Sequence, residues 1–72
     1  MKNIYIVVYR NPYNWNVIHI DNKAFTKHEE AEDFLINDGF IADSHELRNN
    51  KPYVFYKDKS NILAEIKRLD VE

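Results

Sequence analysis

Two adjacent β-prone runs near the start of the chain are apolar on both of their faces, and this constrains the fold more than any other feature. Residues 3 to 10 and 15 to 22 are dense in β-branched and aromatic side chains, and Asn11-Pro12-Tyr13-Asn14 between them puts proline where a type I turn favours it. Paired across a four-residue loop, Arg10 faces Trp15, Val8 faces Val17 and Ile6 faces His19. Side chains alternate along a strand, so one face then carries Ile4, Ile6, Val8, Trp15 and Val17, with His19 towards its edge. The other carries Tyr5, Val7, Tyr9, Ile18 and Ile20. An antiparallel pair with one face in water alternates apolar and polar residues, and this pair does not. Each face needs a cover.

Size limits what the covers can be. A chain of 72 residues buries only roughly 60% of the surface its unfolded form exposes, and ordering it costs on the order of 1.5 kcal/mol per residue. Cysteine is absent, which excludes disulfides and thiolate metal sites and fits a reducing compartment. Two covers stay open: a helix on each side of the sheet, or a second copy of the chain. The narrow helix stripes described next favour the second copy. The candidate dimer interface is Tyr5, Val7, Tyr9, Ile18 and Ile20, because tyrosine buries its ring while its hydroxyl finds water or a partner. Ile4, Ile6, Val8 and Val17 then pack under the helices.

Thr26 and Glu29 form a T-x-x-E capping pattern, and Glu29, Glu30, Glu32 and Asp33 crowd the turns where a helix dipole favours anions. Gly39 suits the position after a helix end, with Phe40 placed to contact Leu35. A helix is expected from about Lys27 to Asp38, with a stripe of Ala31, Phe34, Leu35 and Ile36. Asn49-Asn50 tolerates the positive φ of a tight turn, so residues 45 to 57 are expected to form a second hairpin with a weak first arm and a firm second one, Tyr53 to Lys57. Pro52 suits a strand start or an edge. A second helix is expected from Asp58 or Ser60, with Ile62, Leu63, Ile66 and Leu69 at helical spacing and Lys67 and Arg68 in its last turn. The order β-β-α-(β)-β-α describes a single α+β domain over residues 1–72, a small antiparallel sheet of three or four strands with two helices.

The formal net charge of −2 supplies no general attraction to nucleic acid or an anionic membrane. The opening apolar run is too short for a signal peptide, no run approaches membrane-spanning length, and the expected location is the cytoplasm. His28 and Glu32 stand at i,i+4, as do Glu29 and Asp33, but a metal ion needs three or four convergent ligands and no second cluster is evident. His19 and His45 have no partners in the sequence that would assemble an acid–base site. The expectation is binding rather than catalysis, with no catalytic residue, cofactor or metal. An alternative is a single-stranded nucleic-acid patch of Arg48, Lys51, Tyr53, Phe55, Lys57 and Lys59, which mixes cations and aromatic faces but lacks the glycines of the RNA-recognition strand motif. The acidic run from Glu29 to Asp38 offers a negative face to a basic protein groove, although a solvated helix face is the commoner reason for such a run.

The strand Ile4-Tyr5-Ile6-Val7-Val8-Tyr9-Arg10, the Trp-bearing second strand, the segment F-T-K-H-E-E-A-E-D-F-L-I-N-D-G-F from Phe25 to Phe40 and the closing I-L-A-E-I-K-R-L resemble small proteins of Bacillus phages and SPβ-type prophages, of the YopT-like family. That resemblance spans the chain. It implies a homodimer of three-stranded subunits, a phage or prophage product that acts on a host macromolecule by binding, and it carries over no functional residues.

Overall fold

The computed structural model describes residues 2–57 and 61–71. Among them are one helix and seven strands: β1 (Lys2–Arg10), β2 (Val17–Phe25), α1 (His28–Asn37), β3 (Ile41–Ala42), β4 (Leu47–Arg48), β5 (Lys51–Pro52), β6 (Val54–Tyr56) and β7 (Leu63–Val71). Five of the strands form an antiparallel sheet in the order β2-β1-β7-β6-β3, and β4 and β5 make a separate two-stranded hairpin.

This architecture corrects the expected sheet of three or four strands with two helices. Residues 63–71, expected to be helical, are a nine-residue strand at the centre of the sheet, paired with β1 from Lys2↔Val71 to Arg10↔Leu63. Leucine, alanine, glutamate, lysine and arginine do favour a helix locally. A period of two nevertheless fits the segment better. Ala64 and Ile66 are buried on one face of the sheet, while Leu63, Glu65, Lys67 and Leu69 share the other. The pairing decides the outcome, because β1 has a second edge that β2 does not satisfy, and a strand of nine residues closes all of it. The proposed helix starts at Asp58 and Ser60 lie outside the described residues.

The first hairpin forms with a longer loop than expected. Asn11 N–H donates to the Asn16 carbonyl and Trp15 N–H to the Asn11 carbonyl, both at 2.8 Å, and Trp15 takes φ +64°. Loop residues 11–16 thus delay β2 to Val17, which faces Arg10. Register shifts follow, giving Tyr9↔His19, Val8↔Ile20, Ile6↔Ala24 and Tyr5↔Phe25. Ile20 is thereby placed on the face of Val8 instead of that of Tyr9.

The helix lies on the face opposite to the expected one. Val7, Ala31, Leu35, Phe40, Phe55, Ala64 and Ile66 form the buried core, with Tyr5, Tyr9, Phe25, Phe34 and Ala42 packed against it. Ile36 points outward, 54% exposed. The N-terminal capping box does not form: the N-cap residue is Lys27, without a side-chain cap, Thr26 Oγ1 donates to Glu30 Oε1 at 3.2 Å, and Glu29 is drawn away to Lys51. The other end closes as a Schellman motif. Phe40 N–H donates to the Leu35 carbonyl and Gly39 N–H to the Ile36 carbonyl, both at 3.0 Å, with Gly39 at φ +96°. At the second hairpin, Asn49 and Asn50 take φ +56° and +63°, the positive pair a two-residue type I′ turn requires.

Candidate functional site

Two surfaces stand out, one on each side of the sheet. The first is the face away from α1. Antiparallel partners point to the same side, so this face gathers Ile4, Ile6 and Val8 of β1, Val17 and Ile20 of β2, Leu63 and Leu69 of β7, Val54 and Tyr56 of β6 and Ile41 of β3. Val17, Ile20, Ile41, Tyr56 and Leu69 are each between 38% and 50% exposed. Near its middle Arg10 Nε donates to Glu65 Oε1 at 2.9 Å, and Arg10 Nη1 donates to the Trp15 carbonyl at 2.9 Å. The guanidinium also lies 5.1 Å from the centre of the Trp15 ring. This pair is largely withdrawn from water, so each charge is compensated where solvation is poor. Lys67, the partner of Ile6 across β1 and β7, adds an exposed charge to this face, and the side chains around it are mainly apolar.

The second surface is a cavity of about 250 Å³ on the helix side, between the start of α1 and the β4–β5 hairpin. Its apolar walls are Tyr5, Tyr53 and Ile66. Tyr5 and Arg68 are direct partners across β1 and β7, which brings the Arg68 side chain to the same face as the Tyr5 ring. The hairpin contributes Arg48, Asn49 and Lys51. Arg48 stacks on Tyr53, its guanidinium 4.4 Å from the ring centre, and His28 meets Tyr5 edge-on at 5.6 Å. Among the described residues, three permanent cations and no carboxylate line this cavity.

Carboxylates stand just outside it. Lys51 pairs with Glu29, an exposed contact that lowers the carboxyl pKa of Glu29 and raises that of the Lys51 ammonium, in both cases chiefly through their hydrogen bond. Arg68 Nε lies 3.7 Å from Asp70, and His28 Nδ1 lies 2.9 Å from Glu32. The two side chains of this i,i+4 pair touch within the helix, but His28 Nδ1 makes no aligned hydrogen bond among the described residues. Among the described residues no three His, Asp or Glu side chains gather as a metal site would require.

The sequence-derived candidates are dispersed between these surfaces. Of the expected interface, Val7 is fully buried under α1 and Tyr5 and Tyr9 are half-buried against it, while Ile18 and Ile20 are exposed. These five residues do not make one accessible patch. Of the basic and aromatic set, Arg48, Lys51 and Tyr53 meet at the cavity, Phe55 is wholly in the core, and Lys57 lies elsewhere, 3.9 Å from Asp38 and 5.3 Å from the centre of the Phe40 ring. Lys59 lies outside the described residues. His19 stacks on Tyr9, ring centres 6.0 Å apart, and His45 is exposed beside Asp43. Tyr5, Asn49 and Arg68 complete the cavity without having been singled out for it; reading Arg68 on a strand opposite Tyr5 would have found it. Comparison with protein-family models, curated proteins and solved structures yields no significant match. No helix is long and apolar enough to cross a membrane among the described residues.

Proposed function

We propose that this chain is a small homodimeric interaction protein that works by binding rather than by chemistry, and that the open sheet face is where its two copies meet. The observation that carries this reading is a mainly apolar sheet face on which, among the described residues, no helix lies, of a kind that monomers seldom leave in water. Three strands of nine residues, with the short β6 and β3 beside them, give this face an area on the order of 500 Å² from strand rise and spacing. A two-fold pair of such faces, about 1,000 Å² in total, falls just below the standard interface class, which suits a reversible, concentration-dependent dimer. The two-fold arrangement is the default for identical copies. Resemblance to small phage and prophage proteins adds a host macromolecule as the target of the dimer.

Sedimentation equilibrium over a wide concentration range tests the dimer. A monomer–dimer equilibrium is expected in the micromolar range. Ile20→Glu and Leu69→Glu place charge in the proposed contact and should shift the protein to monomer with its circular dichroism unchanged. Ile36→Glu, on the exposed side of the helix, should leave association intact. A wild-type protein that stays monomeric at several hundred micromolar would overturn the proposal.

A further inference from the structure

We propose that the cavity between α1 and the β4–β5 hairpin binds one nucleotide unit, with its base against Tyr5 and Tyr53 and its phosphate held by Arg48, Lys51 and Arg68. This site lies on the opposite side of the sheet from the proposed dimer contact and stands independently of it. The volume, about 250 Å³, is just below the ~300 Å³ at which pockets for drug-sized ligands begin. It suits one base, with its sugar and phosphate reaching the cationic rim, and excludes an extended oligomer from its interior.

Three observations select the ligand. The walls supply aromatic and aliphatic surface on which a planar ring is sheltered from water, and the contact of Arg48 with the Tyr53 ring sets a cation beside that surface. The charges select an anion. Lys51 and Arg68 have carboxylate partners, but Glu29 and Asp70 are each 59% exposed, and solvent-exposed ion pairs of this kind are weak. A phosphate with more charge and three acceptor oxygens displaces them readily. Arg48 has no ion-pair partner among the described residues. Finally, Asn49, at the turn, is among the residues that line the cavity. An amide offers one donating and one accepting group, which match the polar edge of a base and have no counterpart on a plain phenyl ring.

Calorimetric titration at low salt with adenosine monophosphate, phenyl phosphate, inorganic phosphate and an oligo(dA) ten-mer tests this assignment, with two-dimensional amide NMR to locate the contact. Adenosine monophosphate should bind saturably and move the Asn49 and Tyr53 signals. It should exceed inorganic phosphate by at least about fivefold, the lower bound for stacking one base. Lys51→Gln and Arg68→Gln, both at exposed positions, should each weaken binding and reduce its sensitivity to salt. Glu29→Gln frees Lys51 and should strengthen it. Equal affinity for the free nucleotide and the ten-mer identifies a mononucleotide ligand, and at least tenfold tighter binding of the ten-mer identifies a single strand; either supports the site. Phenyl phosphate binding as tightly as the nucleotide, binding indifferent to Lys51→Gln and Arg68→Gln, or no saturable binding of any nucleotide would overturn it.

Discussion

Tyr9 shows how a single residue can link the sheet to the acidic side of the helix. Its hydroxyl is oriented towards Asp21 Oδ2 at 3.4 Å, its ring packs on His19 and Phe40, and it shares a shallow depression with Asp21 and Asp38. Burial first, and then the negative charges of Asp21 and Asp38, push its pKa from the ordinary 10.0 up to about 12. A raised pKa means that the folded protein prefers the neutral phenol. Its contribution to stability is complete below pH 10 and is lost as pH rises from 10 to about 12. In an absorbance titration, one of the five tyrosines should ionise last, and Asp21→Asn should bring that step closer to the others. A late step unmoved by Asp21→Asn would contradict this account. Gly39 shows the same dependence on local surroundings. The positive φ that closes the helix is strained for any side chain, and a Cβ there would stand 3.3 Å from Lys57 Cε.

At the scale of elements, what was legible in the sequence depended on whether local chemistry or distant pairing decides the structure. The helix end at Gly39-Phe40 and the Asn49-Asn50 turn were readable because each is settled by the φ preference of one or two residues. Segment 63–71 was not. Ile62, Leu63, Ile66 and Leu69 satisfy a helical spacing, and only the unpaired edge of β1, more than fifty residues away, selects the strand. The exchange of faces has a related origin: the six-residue loop and the register shifts moved Ile20 beside Val8, which no local propensity announces. In the cavity, Arg48, Lys51 and Tyr53 were visible as a cluster in sequence, but Tyr5 and Arg68 arrive from the two strands whose pairing was missed. The strand assignment makes unequal demands on residues that a helical stripe would treat alike. Ile66→Ala, at a site 3% exposed, should cost about 3 kcal/mol in urea denaturation, whereas Ile62→Ala, 36% exposed, should cost less than about 1 kcal/mol. Similar losses from both would contradict a central strand here.

The described residues form two layers, helix on sheet, with none of their elements over the second sheet face. A domain of this size has little margin of stability, and association through the open face would add to it by mass action. The dimer reading therefore expects a melting temperature that rises with protein concentration in the wild type and becomes independent of it in Ile20→Glu. A concentration-independent melt in both proteins would count against it. The central position of β7 has a further consequence, for the order in which the chain can fold. On a ribosome, the first hairpin emerges long before residues 63–71, yet its inner edge remains unmatched until those residues appear. The sheet cannot be assembled progressively from one end; it waits for its middle. Contacts between residues so far apart in sequence make closure slow for a small domain, and during that interval the bare edge of β1 is open to pairing with other chains as well as its own.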